Sequence, residues 1–452
     1  MEFSPDQSVA LAKINKWLSN KHDRMFMLGG YAGTGKTTLI QHLVNNSDWQ
    51  VPCLAPTGKA VHVLKGKFEN ANVMTIHRAL YVPKKANLKR FLAFQEQLKL
   101  DPDNEGLKEK VRKEARRLDK IQVEFEKRET PLIARVPFVI IDEASMVTKE
   151  MVNDIMEAGC KALFVGDPGQ LPPVKNEQWF TTDKLDYILA EIHRQAEDNP
   201  IIRISVDARF GTLNPRDYQF DECRIVHKSR LTRDDWRSAN QVITGYNQTR
   251  KHINRTFRRW LGLSDELPME GDKLICLKNE YKRNCIFDEK RSFVDCYECV
   301  PDLTKYNPTM KRCKHRVNWI NGLTAEAAKN AVVIEHSDDE PAQTYYSVDI
   351  KYGNKVNTDV TVIGADCLSN YNDKLAKLPY DYRGDRREFD YAYAITAHKS
   401  QGSEWDSIII ADDRWKAGET ELRKRWLYTA ITRAKSKLII AEGFTFRNTR
   451  LK

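Results

Sequence analysis

Few eight-residue stretches restrict a fold as tightly as Gly30-Tyr31-Ala32-Gly33-Thr34-Gly35-Lys36-Thr37, which fits the pattern G-x-x-x-x-G-K-T. It interrupts an apolar run, Met25-Phe26-Met27-Leu28, and gives way to Leu39-Ile40 and Leu43-Val44 at helical spacing. The predicted order is strand, glycine loop, helix. Glycines let such a loop curl until successive N–H groups and the helix N-terminus face one point, where anionic oxygens are stabilised. Lys36 is then placed to reach the β/γ oxygens of a bound triphosphate, and the Thr37 hydroxyl to ligate magnesium.

Further apolar runs at 51–54, 138–141 and 163–165 each end in a polar turn, as strands of a buried parallel sheet do when sites lie at their carboxyl ends. Residues 1–180 are therefore expected to form one α/β domain. A second α/β domain is expected from 181–275 plus 389–452, with strands at 407–411 and 437–441, and a β-rich insertion from 276–388. A chain of 452 residues is too long for one ordinary domain.

The first domain is itself interrupted at 82–132. Residues 84–128 hold 14 Lys+Arg and 9 Asp+Glu, a local net of +5. Leu88, Phe91, Leu92 and Leu98 fit one helix face and Val111, Ala115, Leu118, Ile121 and Phe125 another, with the turn at 101–106. The reading is a helical hairpin, either an ion-paired solvated pair or an arm that contacts nucleic acid. The chain as a whole carries 73 Lys+Arg against 63 Asp+Glu, net +10, which favours a polyanionic partner. No apolar run approaches the length of a membrane span. Met1-Glu2-Phe3-Ser4-Pro5-Asp6-Gln7 lacks the basic and apolar regions of a secretory signal, so the expected location is the cytoplasm.

The run Phe138-Val139-Ile140-Ile141 leads into Asp142-Glu143. Asp142 would hold magnesium through water and Glu143 would polarise an attacking water, so hydrolysis of the terminal phosphate is expected rather than its transfer to a metabolite. A nucleotide kinase, or a binding module without turnover, fits this pair less well.

From here the order of motifs resembles the superfamily 1 helicases, and more closely their 5′-to-3′ branch (superfamily 1B), which includes RecD-like and phage Dda-like helicases. The resemblance covers most of the chain. It rests on Ala55-Pro56-Thr57-Gly58-Lys59-Ala60, Thr75-Ile76-His77-Arg78-Ala79-Leu80, the third-motif segment Gly166-Asp167-Pro168-Gly169-Gln170-Leu171-Pro172-Pro173-Val174, the fifth-motif segment Thr396-Ala397-His398-Lys399-Ser400-Gln401-Gly402-Ser403-Glu404, and the sixth, Leu427-Tyr428-Thr429-Ala430-Ile431-Thr432-Arg433-Ala434. It implies two RecA-like P-loop domains of α/β class, the helical-hairpin insertion in the first and an SH3-like β insertion in the second. It implies ATP and Mg2+ as cofactors, with Gln7 at the adenine edge and Gly33, Thr34, Gly35, Lys36, Thr37, Thr38, Gly402 and Glu404 in the nucleotide site. Gln170 would sense the γ-phosphate, and Arg194 and Arg433 would reach it from the second domain. Pro56, Thr57, His77, Asn247, Thr396 and His398 would lie along single-stranded DNA. The implied activity is a monomeric ATP-dependent DNA helicase moving 5′ to 3′ on single strands and forks in a bacterial or phage-infected cell, in contact with single-strand-binding or replisome proteins. A translocase that displaces bound proteins or acts on RNA is the alternative.

Three segments depart from that pattern or leave two readings open. The stretch 250–260, Arg250 to Trp260, is a basic helix that either contacts phosphate or turns Ile253, Phe257 and Trp260 into the core. The Asn321-Gly322 turn expected soon after 271–279 comes about forty residues late, and the intervening 285–315 holds Cys285, Cys296, Cys299, Cys313 and His315. These either ligate a structural zinc or are reduced thiols in a loop. Nine cysteines, an odd number, make a poor disulfide framework, and Cys53, Cys160, Cys223 and Cys367 read as packing residues. The tip of the hairpin, Asp101 to Glu105, is acidic, which does not suit stacking on a base pair.

Overall fold

The computed structural model describes residues 3–68, 71–83, 89–102, 104–120, 125–173, 178–191, 199–263, 267–277, 286–287, 293–294, 324–334, 345–352, 355–363, 389–413 and 420–444. Arg194, the five zinc candidates Cys285, Cys296, Cys299, Cys313 and His315, Cys367 and the Asn321-Gly322 turn lie outside these residues. The chain divides into two compact units, Met1–Phe257 with Tyr393–Lys452, and Arg258–Ala392.

The first unit contains two parallel sheets. In chain order the first sheet uses β1 (Met25–Gly30), β2 (Pro52–Ala55), β3 (Asn72–Thr75), β6 (Phe138–Ile141), β7 (Lys161–Gly166) and β8 (Tyr187–Leu189), arranged β3-β2-β6-β7-β1-β8. All five pairings are parallel. Strand β6 is buried along its whole length, which is why its sequence is a continuous apolar run rather than an alternating one. Helices α1 (Pro5–Ser19), α2 (Lys36–Asn45) and α3 (Gly58–Lys67) lend Ile14, Trp17, Leu39, Leu43 and Leu64 to one core on this sheet. Ile76 and Leu80 of α4 (Ile76–Leu80) and Val152 and Ile155 of α7 (Lys149–Glu157) help form a second.

Between α4 and β6 the chain forms a short antiparallel pair, β4 (Tyr81–Pro83) with β5 (Phe125–Lys127), and beyond it α5 (Lys89–Leu100) and α6 (Glu105–Lys120). Phe125 is thus a strand residue opposite Pro83, not part of the second helix face as its spacing suggested. Lys127, two residues on, is fastened to α7 by ion pairs to Asp154 at 2.6 Å and Glu157 at 2.7 Å.

The second parallel sheet uses β9 (Cys223–His227), β10 (Gln241–Thr244), β19 (Ala394–Thr396), β20 (Trp405–Asp413) and β21 (Ala434–Phe444), in the order β19-β10-β20-β21-β9. Helices α8 (Pro200–Phe210) and α12 (Thr420–Ile431) bury Ile204, Trp426, Leu427 and Ile431 with Ile408 and Ile440 of the sheet. The short helix α9 (Arg233–Ser238) opens on a capping box made by Thr232 and Asp235. In helix α10 (Asn247–Trp260) Ile253 and Phe257 are buried and Trp260 is half-buried, Asn254 both donates to and accepts from the Ala394 backbone, and Arg255 and Arg259 are exposed.

The second unit is an antiparallel sheet, β15 (Val332–Ile334), β16 (Tyr345–Tyr352), β14 (Thr324–Ala327), β11 (Lys273–Cys276) and β18 (Phe389–Tyr391), with β17 (Lys355–Ile363) also paired to β16. A separate two-stranded piece joins β12 (Ile286–Phe287) and β13 (Phe293–Val294). The unit is wider than the 276–388 expected from sequence, since β11 and β18 pair with each other, Leu274 opposite Tyr391. Cys53, Cys160, Cys223 and Cys276 are free and buried, and burial pushes the Cys53 and Cys223 thiols up to about 12. Among the described residues, no helix is long and apolar enough to cross a membrane.

Candidate active site

The glycine loop joins the end of β1 to α2. Gly33 and Gly35 have φ of 79° and 75°, left-handed values that a side chain would resist, and they let the chain fold back under the helix N-terminus. Lys36 Nζ lies across the loop, donating to the carbonyls of Gly30 at 2.6 Å and Tyr31 at 2.8 Å. Thr34 Oγ1 donates to Tyr31 O at 2.9 Å. Gln7 is buried and belongs to a capping box: its amide oxygen accepts from Ser4 N at 3.1 Å and its Nε2 donates to Gly35 O at 3.3 Å. The residue expected at the adenine edge therefore also ties α1 to the end of the phosphate loop.

Strand β6 ends one strand beyond β7, which is itself next to β1. There Asp142 N donates to Leu54 O at 2.9 Å, and the chain turns sharply at Glu143. Among the described residues Glu143 is the only non-glycine residue with positive φ, 54°, a conformation that costs of order 1 kcal/mol or more and is retained where the site requires it. Burial, reinforced by the neighbouring Glu143 charge, raises the Asp142 carboxyl, while Lys36 and Lys67 pull it down. The loop after β7 carries Gln170, which is 6% exposed and whose Oε1 accepts no hydrogen bond among the described residues.

The second sheet meets this loop through α12. Tyr428 donates to Asp167 Oδ2 at 2.6 Å and accepts from Ala32 N at 2.8 Å. Thr429 Oγ1 accepts from Leu171 N at 2.9 Å, Gln401 Nε2 donates to Leu171 O at 3.2 Å and Arg425 donates to Pro168 O at 3.1 Å. Arg433, 5% exposed, directs Nε to Thr429 O at 3.0 Å and Nη1 to Ser403 O at 3.4 Å, so its guanidinium is held against its own helix end. Gly402, at φ 71°, brings the fifth-motif turn against Ala60, and Glu404 is exposed.

The candidate nucleic-acid residues lie elsewhere along the two sheets. Pro56 and Thr57 follow β2 and His77 follows β3, neighbours at one edge of the first sheet. Asn247 follows β10, and Thr396 ends β19 just ahead of His398 in α11 (Ala397–Ser400), neighbours at one edge of the second. Thr57 Oγ1 caps α3 by accepting from Ala60 N at 3.1 Å, and Asn247 Oδ1 accepts from Arg250 Nε at 3.1 Å. His77 packs beside Tyr81 with ring centroids 5.4 Å apart, and burial lowers both its imidazole and that of His398.

Sequence reading singled out neither Tyr428 nor Arg209. The guanidinium of Arg209 lies 3.5 Å from the Tyr31 ring centroid, and its Nε and Nη1 make no hydrogen bond among the described residues. Position within the sixth motif was the only signal for Tyr428, and Arg209 had none.

A parallel sheet with a glycine loop after its first strand and paired acids after a second, joined to another parallel sheet, defines a P-loop nucleotide hydrolase with two RecA-like folds. Residues 2–217 match the family described as AAA domain, and residues 391–441 the UvrD-like helicase C-terminal domain. An uncharacterized protein of Acanthamoeba polyphaga mimivirus is 25% identical over 96% of this chain and 99% of its own length. The ATP-dependent DNA helicase dda of Enterobacteria phage T4 is 23% identical, over 90% of this chain and 92% of its own. A solved structure of Pif1 helicases, described as the basis for DNA unwinding at forked duplex DNA by two coordinating copies, matches with a TM-score of 0.51 at 15% identity, covering 99% of this chain and 94% of that one. These matches support an ATP-dependent DNA helicase, similar in sequence to the Dda-like and RecD-like enzymes.

Proposed function

We propose that the chain is a DNA helicase that binds single-stranded DNA, moves along it 5′ to 3′ and unwinds forks, with ATP hydrolysis as the driving reaction. The observation that carries this reading is the division of labour along the two sheets. Nucleotide groups gather after β1, β6 and β7, strand-contacting candidates gather after β2, β3, β10 and β19, and Thr429 and Gln401 of the second sheet hold Leu171 of the first. A change at the phosphate loop thereby has a mechanical path to both edges.

Thr37 at the start of α2 and Asp142 offer the hard oxygen donors that magnesium takes alongside phosphate oxygens. The raised Asp142 carboxyl, beside Glu143, is a site where a divalent cation would favour the ionised form, so the donor set fits. When bound, the metal neutralises charge developing on the phosphoryl oxygens. Lys36 binds the β/γ oxygens, Glu143 orients the attacking water and accepts its proton, and Gln170 contacts the terminal phosphate. Arg433, with Arg194, supplies positive charge to the terminal phosphate. Thr57, His77, Asn247, Thr396 and His398 line the backbone of the strand.

The test is ATP turnover with and without single-stranded DNA, together with unwinding of forked duplexes carrying only a 5′ or only a 3′ tail. Stimulation and unwinding from the 5′ tail alone are expected. Unwinding from the 3′ tail alone overturns the direction, and turnover indifferent to DNA overturns the motor.

A further inference from the structure

The hydroxyl of Tyr428 stands between two loops that serve the nucleotide. It accepts from Ala32 N, an amide of the phosphate loop, at 2.8 Å and donates to Asp167 Oδ2, in the loop that carries Gln170, at 2.6 Å. A phenol has one proton to give, so the two bonds are complementary: donation to Asp167 leaves its lone pairs for Ala32. Asp167 Oδ1 is occupied by Gly169 N at 2.9 Å, which fixes the carboxylate. Tyr428 and Asp167 are each 1% exposed, so water offers no ready replacement partner. The ring is closely fitted, since a Cβ on Gly169 would lie 3.1 Å from its Cε1. Thr429, next on α12, repeats the contact at Leu171, and Arg209 of α8 covers Tyr31 beside Ala32.

We infer that Tyr428 is a positioning residue that reports occupancy of the phosphate loop to the second sheet, its hydroxyl being exchanged against nucleotide phosphate at the Ala32 amide. Amides of such a loop are the groups that phosphate oxygens bind, and an anionic oxygen is a stronger acceptor than a phenol. Losing Ala32 frees Tyr428 to follow Asp167 alone, and α12 then shifts with the Asp167–Leu171 loop rather than with the phosphate loop. Burial and the Asp167 charge keep the phenol protonated, which suits a hydrogen-bond relay and not an acid or base.

The inference rests on the DNA-stimulated hydrolysis proposed above, and the test separates the two. In Tyr428→Phe the hydroxyl no longer competes for the Ala32 amide, so a fluorescent ATP analogue is expected to bind at least as tightly as in the parent, while the ratio of DNA-stimulated to basal turnover falls at least fivefold, the size of an ordinary coupling between sites. A variant that merely loosened the fold would lose basal turnover and nucleotide binding together, and that outcome counts against the inference. In a chain carrying 3-fluorotyrosine only at 428, the fluorine resonance should move on adding the ATP analogue and stay in place with single-stranded DNA alone. A resonance unmoved by the analogue, or an unchanged stimulation ratio in the variant, overturns the relay while leaving the helicase reading intact; a parent enzyme that DNA does not stimulate overturns both.

Discussion

Arg258 and Asp272 form a two-point ion pair in the interior of the second unit, Nε to Oδ1 at 3.0 Å and Nη2 to Oδ2 at 3.0 Å, with side chains 2% and 0% exposed. Arg258 Nη2 also donates to Leu267 O, Asp272 Oδ2 also accepts from Met269 N, and the guanidinium lies 4.0 Å from the Tyr391 ring centroid. Removing one member leaves an uncompensated buried charge, a loss of about 3–5 kcal/mol. Asp272→Ala should therefore unfold at markedly lower denaturant. Arg258→Lys should recover little of it, because an ammonium cannot reproduce the planar fork. Chemical denaturation of the three chains side by side measures this; an Asp272→Ala chain as stable as the parent would show that the pair is immaterial.

Glu143→Gln keeps the volume and the left-handed turn but removes the acceptor for the proton of water. Turnover should drop by on the order of 10²-fold or more, with ATP-analogue binding within a few fold of the parent. Steady-state hydrolysis and equilibrium titration give the two numbers, and a variant that turns over normally would exclude Glu143 as the base.

At Gly30 a Cβ would stand 2.8 Å from both Lys36 Cγ and Thr34 Oγ1. Both neighbours belong to the phosphate loop, so the strain of Gly30→Ala falls on the site and not on the core. Nucleotide affinity is predicted to weaken roughly tenfold, about 1.4 kcal/mol, at nearly unchanged melting temperature. Equal losses in both would place Gly30 in the fold rather than in the site.

Asp412 is 8% exposed; burial is the main cause that lifts its carboxyl from 3.8 to about 6, with Arg423 acting the other way. Between those two values the folded chain holds a proton that the unfolded chain has released. Stability from this group is accordingly lost as pH rises from about 4 to 6, and the loss is complete above that. Asp412→Asn should be more stable than the parent at pH 7.5 by on the order of 1–2 kcal/mol, with the advantage vanishing near pH 4. Thermal melts across that range suffice, and an advantage that persists at pH 4 would show that the gain is not electrostatic.

The residues legible in the sequence were those whose signal is local. The glycine spacing at 30–37 and the run Phe138-Val139-Ile140-Ile141 announce a loop and a buried strand within a dozen residues, and the sheet around them follows from alternation. Arg258 was ambiguous because a row of arginines on a helix looks the same whether solvated or buried. What decides it is Asp272, fourteen positions on and invisible to periodicity. Phe125 was misplaced for a similar reason: its spacing continued a helix face, but its partner Pro83 lies across a hairpin. Tyr428 is the extreme case, since its partner Ala32 is 396 positions away and no local pattern encodes such a bond.

The antiparallel sheet of the second unit has a practical consequence. Strand β11 pairs on one side with β14 and on the other with β18, so residues 277–323 leave and rejoin the sheet on adjacent strands. Any length of chain placed there closes on a ladder already formed, and each doubling of that length costs only about 0.6 kcal/mol of closure entropy. The position works as a docking port for foreign sequence. A tag or sensor grafted at the same place is expected to leave both ladders of β11 intact.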